Sequence, residues 1–275
     1  QIMSPDVCVT RSPRSYNSQI GVPLSVWLLN EHTQLGIFEA GISQPGEMRA
    51  LRGIIQPTIA VLTNLGAAHQ ENFESMQAKC KEKIQLFHDA QTVVYDADDS
   101  VIAAEVEASG YPGERLCWSL TDAHAPMYIS RIDKGDAHTL VTYSYQGGAE
   151  QHYQLPFIDD ASISNSIVCA TVALHLGVSA DALAQRMQQL EPIAMRIEFK
   201  EGQQGCTLIN DTYNYDVNSL DIALDFMRRR PDHQGRRRTL ILSDIEQSGL
   251  TPQSLYGEVA QLCQQRGVER FIGIG

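Results

Sequence analysis

The sequence alternates between short apolar segments and longer segments with helical periodicity. Contiguous apolar residues in the short segments are typical of buried parallel strands. In the longer segments, apolar residues recur every three or four positions, which indicates amphipathic helices. This alternation predicts an α/β fold with a mostly parallel sheet. The predicted strands cover residues 35–40, 59–64, 92–97, 239–244 and 270–275, and the predicted helices cover 76–87, 98–108, 162–176, 179–190, 217–229 and 251–266.

Residues 126–155 follow a different pattern. Three segments rich in β-branched and aromatic residues follow one another, with glycine-containing turns at Lys134–Gly135 and Gly147–Gly148. Short strands joined by such turns pair with their neighbours in the antiparallel sense. The sequence therefore predicts a small antiparallel meander in addition to the parallel sheet.

The α/β pattern restarts near Pro192–Glu198, where we predict a domain boundary. Residues 199–211 are predicted to form a hairpin, and helix–strand alternation then resumes up to residue 275. We expect one domain over residues 1–198 and a second, parallel α/β unit over residues 199–275.

Composition and charge narrow the classes of function. The formal net charge is -12, which argues against nucleic acid or a membrane surface as the partner. No apolar run is long enough to span a bilayer, and the six cysteines form no C-x-x-C pair. We expect a cytoplasmic protein with free thiols, because this cysteine pattern fits a reducing compartment.

Two polar side chains lie near the ends of neighbouring predicted strands. Glu39 closes the segment 35–40, and His69 follows the loop after the segment 59–64. Open α/β sheets bind ligands at the carboxyl ends of their strands. A carboxylate and an imidazole placed there can bind a divalent cation that bridges phosphates. On position alone, a surface glutamate and an ordinary loop histidine are an open alternative.

A lysine inside an apolar stripe adds to this hypothesis. At about 100° per residue, Lys83 lies in the middle of the stripe, Lys79 at its margin, and Lys81 well away from it. Burial lowers the pKa of a lysine, and the neutral amine can capture CO2 as a carbamate, which binds metals as a carboxylate does. The alternative is a side chain that extends along the helix to solvent. The apolar positions of the stripe are Met76, Cys80, Ile84 and Phe87.

A second group of candidates follows the first predicted domain. The Asp211 carboxylate could bind a ribose hydroxyl, the Tyr213 ring could lie against a base, and Arg196 could bind a phosphate. Ordinary turn chemistry is the alternative for each of these positions.

The sequence contains no G-x-x-x-x-G-K-[ST] motif, and no glycine is followed by lysine. That motif cradles the phosphates of a nucleotide. We interpret the 275 residues as part of a longer protein, with the phosphate-binding loop outside them.

Six segments, taken in order, resemble segments of the Mur ligase family, which builds the peptide of peptidoglycan. The resemblance extends over essentially the whole chain, and its strength lies in the order of the segments more than in any one of them. They are YNSQIGVPLSVWLL (16–29), FEAGISQPGEM (38–48), TNLGAAHQENFES…KEKIQLF (63–87), SNSIVCATVALHLG (164–177), INDTYNYDVNSLDIAL (209–224) and LSDIEQSG (242–249).

The resemblance implies roles for individual residues. Glu39 and His69 match the ligands of Mg2+, and Lys83 matches the lysine whose carbamate completes the metal site. Other positions match residues near ATP or residues that line the muramoyl-peptide. The first set is Asn165, Arg196, Asp211, Tyr213 and Asn214, and the second set is Asn17 and Asn64.

The resemblance also implies an activity and a domain plan. The chain would belong to an ATP-dependent ligase that joins D-alanyl-D-alanine to a UDP-muramoyl-tripeptide through an acyl phosphate. Residues 1–198 would be the central ATP-binding domain, incomplete at its start, and residues 199–275 the beginning of a Rossmann-like C-terminal domain. We expect such a piece to be inactive alone. Residues 10–27 resemble the subgroup fused to an alanine racemase, although Ser18 replaces a usual asparagine.

Two alternatives to this function remain open. One is another ligase of the same superfamily, similar to folylpolyglutamate synthase. The other is a non-catalytic module that binds a nucleotide or a muropeptide and has lost turnover. A phosphate-binding loop elsewhere in the whole protein would favour an enzyme.

Overall fold

A computed structural model describes residues 1–13, 15–66, 69–191, 198–212, 217–229, 235–245 and 250–275. The chain divides into two compact units, Gln1–Leu190 and Glu191–Gly275. The predicted boundary after residue 198, and the assignment of each domain, stay predictions.

The first unit contains nine strands and six helices in its described part. β1 and β2 form a parallel pair, and β3, β4 and β5 form a parallel three-stranded sheet. The strands are β1 (Val9–Arg11), β2 (Leu35–Ile37), β3 (Ile59–Val61), β4 (Thr92–Val94), β5 (Glu114–Arg115), β6 (Trp118–Ser119), β7 (Met127–Lys134), β8 (Thr139–Tyr145) and β9 (Gln151–Leu155). The helices are α1 (Gly21–Val26), α2 (Glu47–Ile55), α3 (Met76–Lys83), α4 (Ser100–Ala108), α5 (Asp160–His175) and α6 (Ala180–Met187).

The largest hydrophobic cluster includes the buried residues of the four-stranded sheet β6–β7–β8–β9 and of helices α5 and α6. β7, β8 and β9 pair in the antiparallel sense. Leu155 on β9 and Leu183 on α6 are completely buried. The Tyr153 hydroxyl lies 3.1 Å from Ser166 Oγ, so these polar groups are paired inside the core.

A second cluster packs α3 and α4 against the parallel sheet β3–β4–β5. Cys80 and Phe87 contribute from α3 and the short 3₁₀ turn that follows it, Ile102 from α4, and Val93 from β4. α4 begins at a strong cap, because Asp99 Oδ1 accepts hydrogen bonds from the amides of Val101 and Ile102. This packing places the carboxyl ends of β3 and β4 beside α3.

The second unit has an antiparallel hairpin of β10 (Glu198–Glu201) and β11 (Thr207–Asn210). The helices α7 (Val217–Arg229) and α8 (Pro252–Gln265) accompany a parallel pair of β12 (Thr239–Ser243) and β13 (Arg270–Ile274). Arg266 joins α8 to α7, because its guanidinium lies 2.7 Å from Asp221 and 2.8 Å from Asp225. A strand–helix–strand unit with parallel strands is the connection typical of Rossmann-like folds.

The predicted fold class is confirmed, since parallel sheets and a small antiparallel sheet are both present. The parallel strands are shorter than predicted, because their polar ends leave the sheet and form loops. Two helices, α1 and α2, were not predicted. The first has six residues and contains Pro23, and the second follows directly after Pro45–Gly46, so local pattern favours a turn at both places.

Among the described residues, the structure contains no helix that is long and apolar enough to cross a membrane.

Candidate functional site

The carboxylate of Glu39 lies just beyond the end of β2 and is held by Asn17. Asn17 Nδ2 donates a hydrogen bond of 2.8 Å to Glu39 Oε1, and the Glu39 amide donates to Ser12 Oγ at 3.1 Å. Gly41 permits this arrangement, because a Cβ at that position would lie 3.1 Å from Asn17 Cγ. Glu39 is exposed, and its second carboxylate oxygen faces no hydrogen-bond donor in the described part of the chain.

His69 follows β3 in a backbone conformation that is uncommon for side chains with a Cβ. Its φ and ψ angles are 59° and 21°, in the left-handed region. The Leu62 amide donates to the Val94 carbonyl at 2.9 Å, so the start of the loop is tied to β4. The imidazole is half-buried. Surrounding structure has to hold this residue in place, because isolated residues rarely adopt the left-handed state.

Lys83 is the last residue of α3 and is half-buried. Burial lowers the pKa of Lys83, and the nearby Cys80 and Glu39 groups oppose this effect. Helix α3 is well formed at its start, where Ser75 Oγ accepts from the Ala78 amide at 3.1 Å. The Glu39 carboxylate is therefore near enough to Lys83 to affect the pKa of its amine, and the burial of Lys83 favours the neutral form.

Lys79 is less exposed than its predicted position at the margin of the stripe indicates. Lys79, predicted at the margin of the apolar stripe, is only 2% exposed, whereas Lys83 is half-buried. Gly66, in the described part of the loop after β3, lies against this side of the helix, and Lys79 Nζ donates to its carbonyl at 2.5 Å. Beyond Lys83 the helix also tightens into a 3₁₀ turn, Ile84–Phe87, which changes the angular spacing of its side chains. Lys81 is exposed, as predicted.

Glu47, at the start of α2, also lies close to His69. Backbone hydrogen bonds from Ser43 and Gln44 hold the pKa of Glu47 below its usual value, and the nearby His69 adds to this lowering. The amide of Met48 in the same turn donates to Glu82 Oε1 at 2.9 Å, which ties α2 to α3. Sequence reasoning missed both contacts, because they join residues distant in the chain.

The donor set of this site is compatible with a divalent cation. The described residues contain no group of three or more His, Cys, Asp or Glu side chains that could hold a metal ion. Glu39 and His69 offer two such ligands, so a third would have to come from elsewhere. A carbamate on Lys83 would supply it, since this amine is close to Glu39 and its pKa is lowered. The residues therefore fit Mg2+ only if Lys83 is carbamylated.

The remaining predicted residues lie in different places. Asn64 is exposed in the loop after β3, and Asn165 is exposed on α5. Asp211 follows β11 in the second unit and is half-buried. Arg196, Tyr213 and Asn214 lie outside the described residues, so their predicted roles stay predictions.

The Cys80 thiol next to this site should resist alkylation. Burial, together with the charges of Glu105 and Asp99, raises the pKa of Cys80 to about 12. At pH 8 only about one thiol in ten thousand would then be the reactive thiolate. We expect iodoacetamide to modify the exposed Cys8 and Cys206 but not Cys80.

Peptide mapping by mass spectrometry before and after unfolding in urea checks this expectation. All three thiols should react in urea, which serves as the control. Alkylation of Cys80 in the folded chain at the rate of Cys206 would show that α3 does not bury this face.

Comparison with known proteins gives the class to which this fold and site belong. The family model of the Mur ligase middle domain matches residues 2–173. The chain therefore belongs to the Mur ligase family.

The individual relatives share one name. The chain is similar to the UDP-N-acetylmuramoyl-tripeptide–D-alanyl-D-alanine ligase of Bacillus subtilis, with 21% identity over 97% of the chain and 57% of the relative. It is 25% identical to the ligase of that name from Mycobacterium tuberculosis strain H37Rv, over 100% of the chain and 54% of the relative. The chain thus spans little more than half the length of the curated relatives it matches.

Solved structures show the same fold. The chain is similar to a crystal structure of MurF from Acinetobacter baumannii, with a TM-score of 0.84, 21% identity, and coverage of 100% of this chain and 58% of that one. A MurF ligase from Thermotoga maritima in complex with ADP has a TM-score of 0.77 and 19% identity, and covers 95% of this chain and 59% of that one. At these identities the likeness establishes the fold alone.

Proposed function

We propose that this chain is part of an ATP-dependent ligase that joins D-alanyl-D-alanine to a UDP-muramoyl-tripeptide. The observation that carries the proposal is that Glu39, just beyond β2, and Lys83, at the end of α3, lie within electrostatic range of each other in a chain that matches the Mur ligase middle domain. The shared name of the curated relatives supports the choice of substrates. We assign residues 1–198 to the central ATP-binding domain and residues 199–275 to the beginning of the C-terminal domain.

The proposed reaction has two steps. A carboxylate oxygen of the tripeptide attacks the γ-phosphorus of ATP, so an acyl phosphate forms and ADP leaves. The amine of D-alanyl-D-alanine then attacks the acyl carbon, phosphate leaves, and the amine loses a proton. Both reactants of the first step are anions, so the site has to reduce their mutual repulsion. A bound Mg2+ would supply that charge neutralisation.

Within this proposal Glu39, His69 and carbamylated Lys83 hold the cation. The Lys83 carbamate forms when the neutral amine attacks the carbon of CO2 and releases one proton to solvent. That step turns a group with a potential positive charge into an anionic oxygen ligand. The Asn17 amide orients the Glu39 carboxylate, because it occupies Oε1 and leaves Oε2 for the cation.

Two further sets of residues complete the proposal. Asn165, Arg196, Asp211, Tyr213 and Asn214 contact ATP, and Asn17 and Asn64 line the muramoyl-peptide side. A cytoplasmic location and a fused alanine racemase domain remain predictions.

The test is an assay of amide formation with the whole protein, UDP-muramoyl-tripeptide, D-alanyl-D-alanine and ATP. Ligated product that requires ATP and Mg2+ supports the proposal, and L-alanyl-L-alanine serves as the control substrate. The 275-residue chain should give no product alone, because it contains no G-K-[ST] phosphate loop. A whole protein that binds ATP without forming product under these conditions would contradict the proposal.

A further inference from the structure

Lys79 is the only charged side chain among the described residues that is almost wholly buried, at 2% exposure. An ammonium removed from water costs several kcal/mol unless other groups compensate for the lost hydration. Burial and the charge of Lys83 lower the pKa of Lys79, and the charge of Glu71 opposes them. The groups around Lys79 therefore have to stabilise it.

One partner of Lys79 is the Gly66 carbonyl, in the described part of the segment between β3 and α3. Lys79 Nζ donates to the Gly66 carbonyl at 2.5 Å. Gly66 precedes His69 by three residues in the chain. The backbone of Lys79 is fixed in the capped first turn of α3, because its amide donates to the Ser75 carbonyl at 3.1 Å. A rigid helix thus reaches across to the loop that carries the imidazole.

The loop needs such support at His69. A φ angle of 59° is sparsely populated by residues that carry a Cβ, so the conformation persists only when neighbouring contacts impose it. One contact follows the histidine, where the Asn72 amide donates to the His69 carbonyl at 3.2 Å. The bond from Lys79 to Gly66 lies on the other side of His69 in the chain.

We propose that Lys79 is a positioning residue whose hydrogen bond to the Gly66 carbonyl fixes the β3–α3 loop and so sets the place of the His69 imidazole. This inference rests on the proposed function, in which His69 is a ligand of the cation. Lys79 contacts neither cation nor substrate in this role and acts through the loop backbone. Its effect on cation binding should therefore depend on His69.

Mn2+ binding to the whole protein, followed by electron paramagnetic resonance, tests the dependence. Lys79→Met should weaken Mn2+ binding about tenfold or more, as loss of outer-shell support does at other metal sites. The matched control is Lys81→Met, which removes the same charge from an exposed position on α3. We expect that control to bind Mn2+ within about twofold of the unsubstituted chain.

A double-mutant cycle separates positioning from general destabilisation. In a His69→Gly background, which accepts the positive φ angle, Lys79→Met should cause no further loss of affinity. Equal losses in both backgrounds would overturn the inference, as would full affinity in a folded Lys79→Met chain. If Lys79→Met does not fold, Lys79→Arg replaces it in the cycle. For Lys79→Arg, which keeps a hydrogen-bond donor at this position, full affinity or a loss that vanishes without His69 supports the inference, and a loss independent of His69 overturns it.

A measurement made without metal separates failure of this inference from failure of the proposed function. The His69 ring resonance in a 1H–13C spectrum should shift in Lys79→Met. In Lys81→Met it should stay almost unchanged. An unshifted resonance overturns the positioning role. If the unsubstituted chain binds no Mn2+, the proposed cation site fails, and the ring resonance alone decides the role of Lys79.

Discussion

Replacing Lys83 with methionine should lower the rate of ATP-dependent amide formation by the whole protein about a hundredfold to a thousandfold. The substitution keeps most of the side-chain volume and removes the amine that would become the carbamate. With only Glu39 and His69 left, the cation would lose an anionic ligand. The loss should appear in kcat at saturating substrates, because charge develops between two anions in the transition state.

The carbamate gives this prediction a second, chemical signature. Unsubstituted protein depleted of CO2 should lose activity and regain it on addition of bicarbonate, whereas Lys83→Met should not respond. Since burial lowers the pKa of Lys83, the neutral amine becomes available at a lower pH than for an exposed lysine. Its fraction, and hence carbamylation, should rise with pH. The control is Lys81→Met, and a Lys83→Met rate above about a tenth of normal would exclude the carbamate role.

Replacing Leu155 with alanine should reduce the free energy of unfolding by about 2 to 5 kcal/mol. Leu155 is completely buried in the cluster that includes β9 and α6, so truncation removes packing contacts and leaves a cavity. Urea unfolding followed by tryptophan fluorescence measures the loss. The chain has two tryptophans, and Trp118 lies in the same cluster as Leu155, whereas Trp27 is 82% exposed.

Leu140→Ala is the matched control for that measurement. Leu140 lies on the neighbouring strand β8 and is 37% exposed, so its truncation should cost less than about 1 kcal/mol. The urea midpoint should fall for Leu155→Ala with an unchanged slope. Equal effects of the two substitutions would mean that β9 does not face the core described here.

Periodicity in the sequence predicted those elements that bury a continuous apolar face. The helix at 217–229 and the meander over 126–155 are examples, because their side-chain spacing alone indicates the element. The apolar pattern of helices α1 and α2 is too short to indicate a helix, and tertiary contacts stabilise both helices. Met48 and Leu51 of α2 pack against Val22 of α1, a contact that no local pattern contains.

In the candidate site too, some features follow from local sequence pattern and others depend on tertiary contacts. Strand-end placement led to Glu39, the apolar stripe of the helix led to Lys83, and the structure places these two side chains within electrostatic range of each other. The Asn17–Glu39 hydrogen bond joins positions 22 residues apart, and the burial of Lys79 depends on how a loop lies over a helix. Neither follows from residue spacing, because both depend on how separate elements meet.

The left-handed backbone at His69 limits which amino acids are tolerated at that position. Most residues with a Cβ would be strained by about 1 to 3 kcal/mol there, whereas Gly, Asn, Asp and His itself enter this region more easily. A glutamate or cysteine can bind a cation, but it would add backbone strain at this position. Natural variants of this chain should therefore vary at position 69, if at all, within a set narrower than ligand chemistry alone would permit.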